Sequence, residues 1–153
     1  MKSLLTFSFV VFFFTIGFSQ EQCLQKALTA YDNEKWNDAI KQAENCTIQF
    51  GPQARKIQKD LKVQGYSFPC EYTVPNNCTS QQKNEIFGHG LLNDVSVSYW
   101  IIGMSNLRLG NRDLAKRAFE KAKELTFGLC FNPKTFNFWS PSVEAELQLG
   151  EMN

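Results

Sequence analysis

Apolar residues recur at helical spacing along most of this chain, with polar residues between them. Tyr99, Ile102, Gly103 and Asn106 fall at i, i+3, i+4 and i+7, on one helix face. Gly110 predicts a left-handed helix end and Asn111 a cap for the helix that follows, in which Ala115, Phe119 and Ala122 share a face. Nearer the N-terminus, Trp36 opens a helix with Ala39, Ile40, Ala43 and Cys46 on its inner side, and residues 20–33 supply a preceding helix with small Ala27 at the crossing. Residues 52–64 read as a separate helix that begins at Pro52, turns Ala54, Ile57 and Leu61 inward and stops at Gly65. Ser80 is expected to cap another helix running toward Leu92, its end blurred by Gly88 and Gly90. Between the two, YSFPCEYTVPNNCTS has the Pro and Asn content of a loop. After Phe127 the pattern stops: FGLCFNPKTFNFWSP turns at Asn132-Pro133 and is not helical throughout. Ser140 with Pro141 then begins a last short helix, with Val143 and Leu147 on one side and Gly150 at its end.

Gly103 interrupts an apolar helical run, where a glycine costs about 1 kcal/mol relative to alanine. Close packing offsets that cost: Gly103 and Ala115 let two helices approach, and Phe119 fills the space beside them. A leucine at 103 is expected to force the pair apart, and an alanine to be tolerated. The order Tyr99, Ile102, Gly103, Gly110, Ala115, Phe119, Ala122 resembles the tetratricopeptide (TPR) pattern over about 34 residues from Ser96. Asn106 departs from it, standing where the family usually has tyrosine. The stretch YDNEKWNDAIKQAENC resembles the second half of another repeat, with Ala43 where an aromatic is commoner.

The resemblance implies an all-α fold, a short right-handed array of antiparallel helix pairs. The expected domain is 20–127, with repeats at 20–53 and 96–127 and a degenerate unit with a long loop at 54–95. Such arrays need about three units to bury a continuous core, together with terminal caps. The aromatic segment and last helix, 128–153, would serve as the cap. In this family the first helices of successive repeats line a groove that commonly receives an extended peptide. Carried onto the matching positions, the groove takes Leu24, Leu28 and Tyr31 from the first repeat. The last repeat would add Val97, Trp100, Met104 and Leu107, with Arg108 at their edge. Its occupant is either a partner or the chain's own tail through Phe136, Phe138 or Trp139.

Residues 1–19 read as a cleaved export leader: Lys2, then an almost wholly apolar run to Phe18, then the small residues Gly17 and Ser19 flanking the cleavage motif. Without Lys2 the 16 basic residues fall level with the 15 acidic ones, which argues against nucleic acid as a general partner. Export, periplasmic or extracellular, makes the five cysteines disulfide candidates. Cys23 and Cys46 lie symmetrically about the Glu34-Lys35 turn, and Cys70 and Cys78 flank Pro75-Asn76. These pairings leave Cys130 free.

Little in the chain points to catalysis. His89, the lone histidine, sits between two glycines in a turn-like context, and no second histidine supports a zinc site. A Cys–His pair brought together by the fold is the remaining enzymatic arrangement. Phosphate-loop and serine-elbow motifs are absent, and no cofactor is expected. Asn45-Cys46-Thr47 and Asn77-Cys78-Thr79 match the glycosylation pattern but read as accidental. Arg108, Arg112, Lys116, Arg117, Lys121 and Lys123 make the last repeat locally basic, either a solvated face or a seat for an acidic partner. The expected function is an exported, non-catalytic module that binds a protein or peptide. The alternative is an accessory subunit of an envelope complex whose groove is self-filled.

Overall fold

The computed structural model describes residues 16–152, which form six helices and one small β-hairpin. In chain order these are α1 (Ile16–Asp32), α2 (Trp36–Val63), α3 (Ser80–Phe87), α4 (Gly90–Arg108), α5 (Arg112–Lys123), β1 (Cys130–Asn132), β2 (Asn137–Trp139) and α6 (Pro141–Glu151). The architecture is mostly helical, as the periodicity predicts. Residues 1–15 of the expected leader lie outside the described residues, and Ile16–Asp32 form one continuous helix. Among the described residues no helix is long and apolar enough to cross a membrane.

Three helix ends close by the same device. At the end of α4, Gly110 is left-handed (φ 79°), its N–H donates to Leu107 O at 3.0 Å, and Asn111 N–H donates to Asn106 O at 2.8 Å. This pair of bonds satisfies carbonyls that the helix itself leaves open. Gly65 (φ 68°) closes α2 likewise, with Tyr66 N–H on Leu61 O at 3.0 Å. Glu34 does so for α1 at φ 58°, a conformation that disfavours a side chain. Asn111 does not cap α5 with its side chain; Nδ2 donates instead to Asn106 Oδ1 at 3.3 Å. Buried Asn106 also donates to Ile102 O at 2.9 Å, so its amide is satisfied locally.

α4 is the central element, packed against α1, α2, α5 and α6. Gly103 sits where expected, but with less room than alanine needs. A Cβ there would overlap Cδ1 and Cε1 of the Phe119 ring and lie 2.8 Å from Cζ, so an alanine requires the ring to shift, against the expectation that it is tolerated. A second close approach occurs at Gly128, where a Cβ would stand 2.7 Å from Ser96 Cβ and 3.1 Å from Leu92 O. The expected break at Pro52 is absent, and α2 runs through it. Phe50, Gly51 and Ala54 around the proline are all buried, and their packing outweighs the missing hydrogen bond. Ser96, the expected start of a repeat, lies inside α4, which begins at Gly90. α3 is capped by Thr79 rather than Ser80: Gln82 N–H donates to Thr79 Oγ1, and Gln82 Oε1 accepts from Thr79 N–H.

Both expected disulfides are present, Cys23–Cys46 and Cys70–Cys78, with Cα separations of 5.7 and 5.4 Å, and Cys130 is free. The first closes 23 residues and should contribute roughly 3 kcal/mol by restricting the unfolded chain. The segment after Phe127 forms antiparallel strands that the turn expectation did not include, pairing Cys130 with Trp139, Phe131 with Phe138 and Asn132 with Asn137. Asn93 secures the hairpin's entry, its Oδ1 accepting from Leu129 N–H at 2.9 Å while its Nδ2 donates to Ile86 O at 2.8 Å. The disulfide loop docks on β2 through Phe138 N–H to Tyr72 O, 2.8 Å, and Asn137 Nδ2 to Thr73 O, 2.8 Å. In α6, Ser140 caps through Val143 N–H, but Val143 and Leu147 are 51% and 57% exposed. The buried side of α6 is Pro141, Ser142 and Ala145.

Candidate interaction surfaces

Strand alternation gives the β-hairpin two working faces. Phe131 and Phe138, with ring centroids 5.1 Å apart, turn toward Ile86 and the disulfide loop. Cys130 and Trp139, paired across the strands, turn the other way, toward α4. Trp139 meets Trp100 at 5.0 Å in an edge arrangement, and Tyr31 approaches Trp100 at 5.4 Å while Trp36 packs on Tyr31 at 5.4 Å. Aromatic pairs at such spacing stabilise beyond their area burial.

The eight groove residues are divided by this arrangement. Val97 is fully buried in the core with Ala27, Ala43 and Ile101. Leu24, Leu28, Tyr31 and Trp100 are partly buried against that core. Met104 and Leu107 pack instead on the cluster of Ala115, Phe119, Ala122 and Ala145, as do Leu149 of α6 and Met152 just after it. Arg108 is exposed at the edge. Burial raises the Tyr31 hydroxyl above its ordinary range, and the nearby Arg108 charge partly opposes it. The C-terminal segment thus reaches the expected groove at two places, through Trp139 and through α6.

A different cleft remains open on the opposite helices. α2 and α5 flank α4, and a cleft of about 720 Å³ lies between the N-terminal half of α2 and the length of α5 from Leu114 to Lys121. Ile40 and Ile48 line one wall, Leu114 and Ala118 the other, and Tyr99 and Ile102 lie in its floor. Ile48 is 77% exposed and Leu114 47%. Further along α2, a second cleft of about 420 Å³ is lined by Arg55, Lys59 and Lys62 and by residues 124–127 after α5. Its base is fixed by Gln58, which donates to Thr126 Oγ1 at 2.7 Å and accepts from Phe127 N–H at 3.0 Å. Sequence reasoning passed over Ile48 and Leu114. Their signal was an apolar residue outside the inward stripe of each second helix.

His89, Tyr66 and Cys130 line neither cleft. His89 stacks edge-on against Tyr66 at 5.0 Å, and its buried Nδ1 has no hydrogen-bond partner among the described residues. Burial lowers its pKa, with the Glu85 carboxylate pulling the other way. Tyr66 is pushed up to about 12, by burial first and then by Glu85. Burial pushes the Cys130 thiol up to about 11, with a contact from Trp139 opposing it. Among the described residues no group of three or more His, Cys, Asp or Glu side chains is placed to hold a metal ion.

No protein-family model matches the chain, and neither a curated protein nor a solved structure matches it.

Proposed function

We propose that this protein is an exported, TPR-like interaction module without catalysis, whose first-helix groove is filled by its own C-terminal segment. A protein partner then docks on the outer surface, as on an accessory subunit of an envelope complex. The observation that carries this reading is the seat of Trp100, held between Tyr31 and Trp139 of the chain itself. A peptide entering the groove there would have to displace Trp139 and lose that stacking. Cys130 argues in the same direction, since a thiol with a pKa of about 11 is almost wholly protonated at neutral pH and a poor nucleophile. The two disulfides accord with an oxidising compartment.

Site-specific photo-crosslinking in producing cells tests the reading. A benzophenone side chain at Leu114, on the outer surface, should yield an adduct to a second protein, and one at Leu28, in the groove, should not. Adducts from Leu28 with none from Leu114 would restore the groove as the docking site. Silence at both positions would remove the interaction module altogether.

A further inference from the structure

The two clefts lie end to end along α2, the first against α5 and the second against residues 124–127 that follow it, and their chemistry changes along the way. Ile40, Glu44, Thr47 and Ile48 face Leu114, Arg117, Ala118 and Lys121 at one end. Arg55, Gln58, Lys59 and Lys62 face Glu124, Thr126 and Phe127 at the other. From residue 40 to residue 62 is about 33 Å of helix. Between the clefts α2 carries buried Gly51, where a Cβ would stand 3.7 Å from the Tyr99 hydroxyl.

The apolar end has mixed charge at its rim: Glu44 and Glu120 oppose Arg117 and Lys121. The far end is cationic. Lys56 is paired with Asp60 at 2.6 Å, and Glu124 with Lys121 at 3.5 Å. Arg55, Lys59 and Lys62 have no ion pair among the described residues, and they recur at i, i+4 and i+7 on one stripe of α2. Three cations on one stripe repel one another, and a carboxylate-bearing ligand relieves that repulsion. The ridges of a third helix fit a trough that has α2 along one side and α5 followed by residues 124–127 along the other.

Building on the outer-surface docking above, we propose that this trough receives a helical segment of a partner protein, apolar along one stripe and ending in a cluster of carboxylates. The apolar stripe covers Ile48 and Leu114, and the acidic end meets Arg55, Lys59 and Lys62. Charge sets the direction in which the segment lies, and apolar contact supplies most of the affinity.

Fluorescence anisotropy with synthetic amphipathic peptides of about 20 residues tests this. Each carries leucines at i, i+4 and i+7 and a terminal block of glutamate or lysine, made with the block at either end. One glutamate-ended peptide should bind the full exported chain about tenfold more tightly than its lysine-ended counterpart at low salt. Arg55→Glu, Lys59→Glu and Lys62→Glu together should invert the preference. Leu114→Asp, with Ile48→Asp as a second variant, should weaken both peptides about tenfold. Equal binding of the two charge types, a preference unchanged by the reversal, or no saturable binding would overturn the proposal. If adducts still formed at Leu114, docking on the outer surface would survive and only the chemistry of the partner would be wrong.

Discussion

Replacing Gly103 by alanine is the smallest change that tests the packing of the last helix pair, and two effects of opposite sign compete there. Helix propensity favours alanine by about 1 kcal/mol. Against it stands the Phe119 ring, whose edge atoms occupy the space a methyl group would take, with even Cζ only 2.8 Å away. Phe119 is fully buried among Ala115, Ala122 and Ala145 and has little room to retreat. Overpacking a tight core costs about 1–3 kcal/mol, and with three atoms of a buried ring in the way the upper part, about 2–3 kcal/mol, applies, so the net loss after the propensity gain is about 1–2 kcal/mol. For a domain of this size the melting temperature should fall by about 3–8 °C, measured by circular dichroism. Phe119→Leu removes the ring and opens a cavity, and the alanine methyl should partly fill it. The double variant should therefore be more stable than the sum of the single losses, by about 0.5 kcal/mol or more. An alanine variant that melts at or above wild type, or a double variant that is strictly additive, would refute the close crossing.

Trp100→Ala should destabilise the free protein by about 2–4 kcal/mol, because the ring is packed by the chain itself, and removing residues 131–153 should expose a surface that binds a hydrophobic dye. Chemical denaturation of the first and fluorescence titration of the second check this; an unchanged Trp100→Ala midpoint would mean an open groove. His89 should make the fold acid-sensitive. Its pKa is lowered in the native state, so between pH 7 and about 5.5 the unfolded chain takes up a proton that the folded chain resists, and stability falls as pH falls. Urea midpoints of wild type and His89→Gln across that range should converge toward low pH, and parallel curves would exclude a role for the histidine. Glu34→Gly should raise stability by about 0.5–1 kcal/mol by relieving the left-handed φ of 58°, less the entropy glycine adds to the unfolded chain. An unchanged or lowered melting temperature would show that no such strain exists at Glu34.

Local patterns in the sequence determined the helical character of the protein, the left-handed closures at Gly65 and Gly110, the cap at Ser140 and both disulfide pairs. Each depends on residues that are neighbours in the chain or lie across one short hairpin or loop, so spacing alone carries the information. Tertiary structure decided the rest. α2 runs through Pro52 because buried Phe50, Gly51 and Ala54 hold both sides of it against α4, a contact that no local rule contains. The strands at Cys130–Asn132 and Asn137–Trp139 exist because Tyr72, Thr73 and Asn93, distant in sequence, supply partners for them. Gly103 was legible as a packing residue, but the space left for a methyl group there depends on where the Phe119 ring comes to rest. Trp100, Met104 and Leu107 stand outside the stripe that holds Gly103, but they are not surplus to their own hairpin, since they pack on the Ala115, Phe119 and Ala122 cluster of α5 together with Ala145 of α6. What else covers them was not legible, because a tail and a partner present the same aromatic and aliphatic chemistry, and only the path of the chain distinguishes the two.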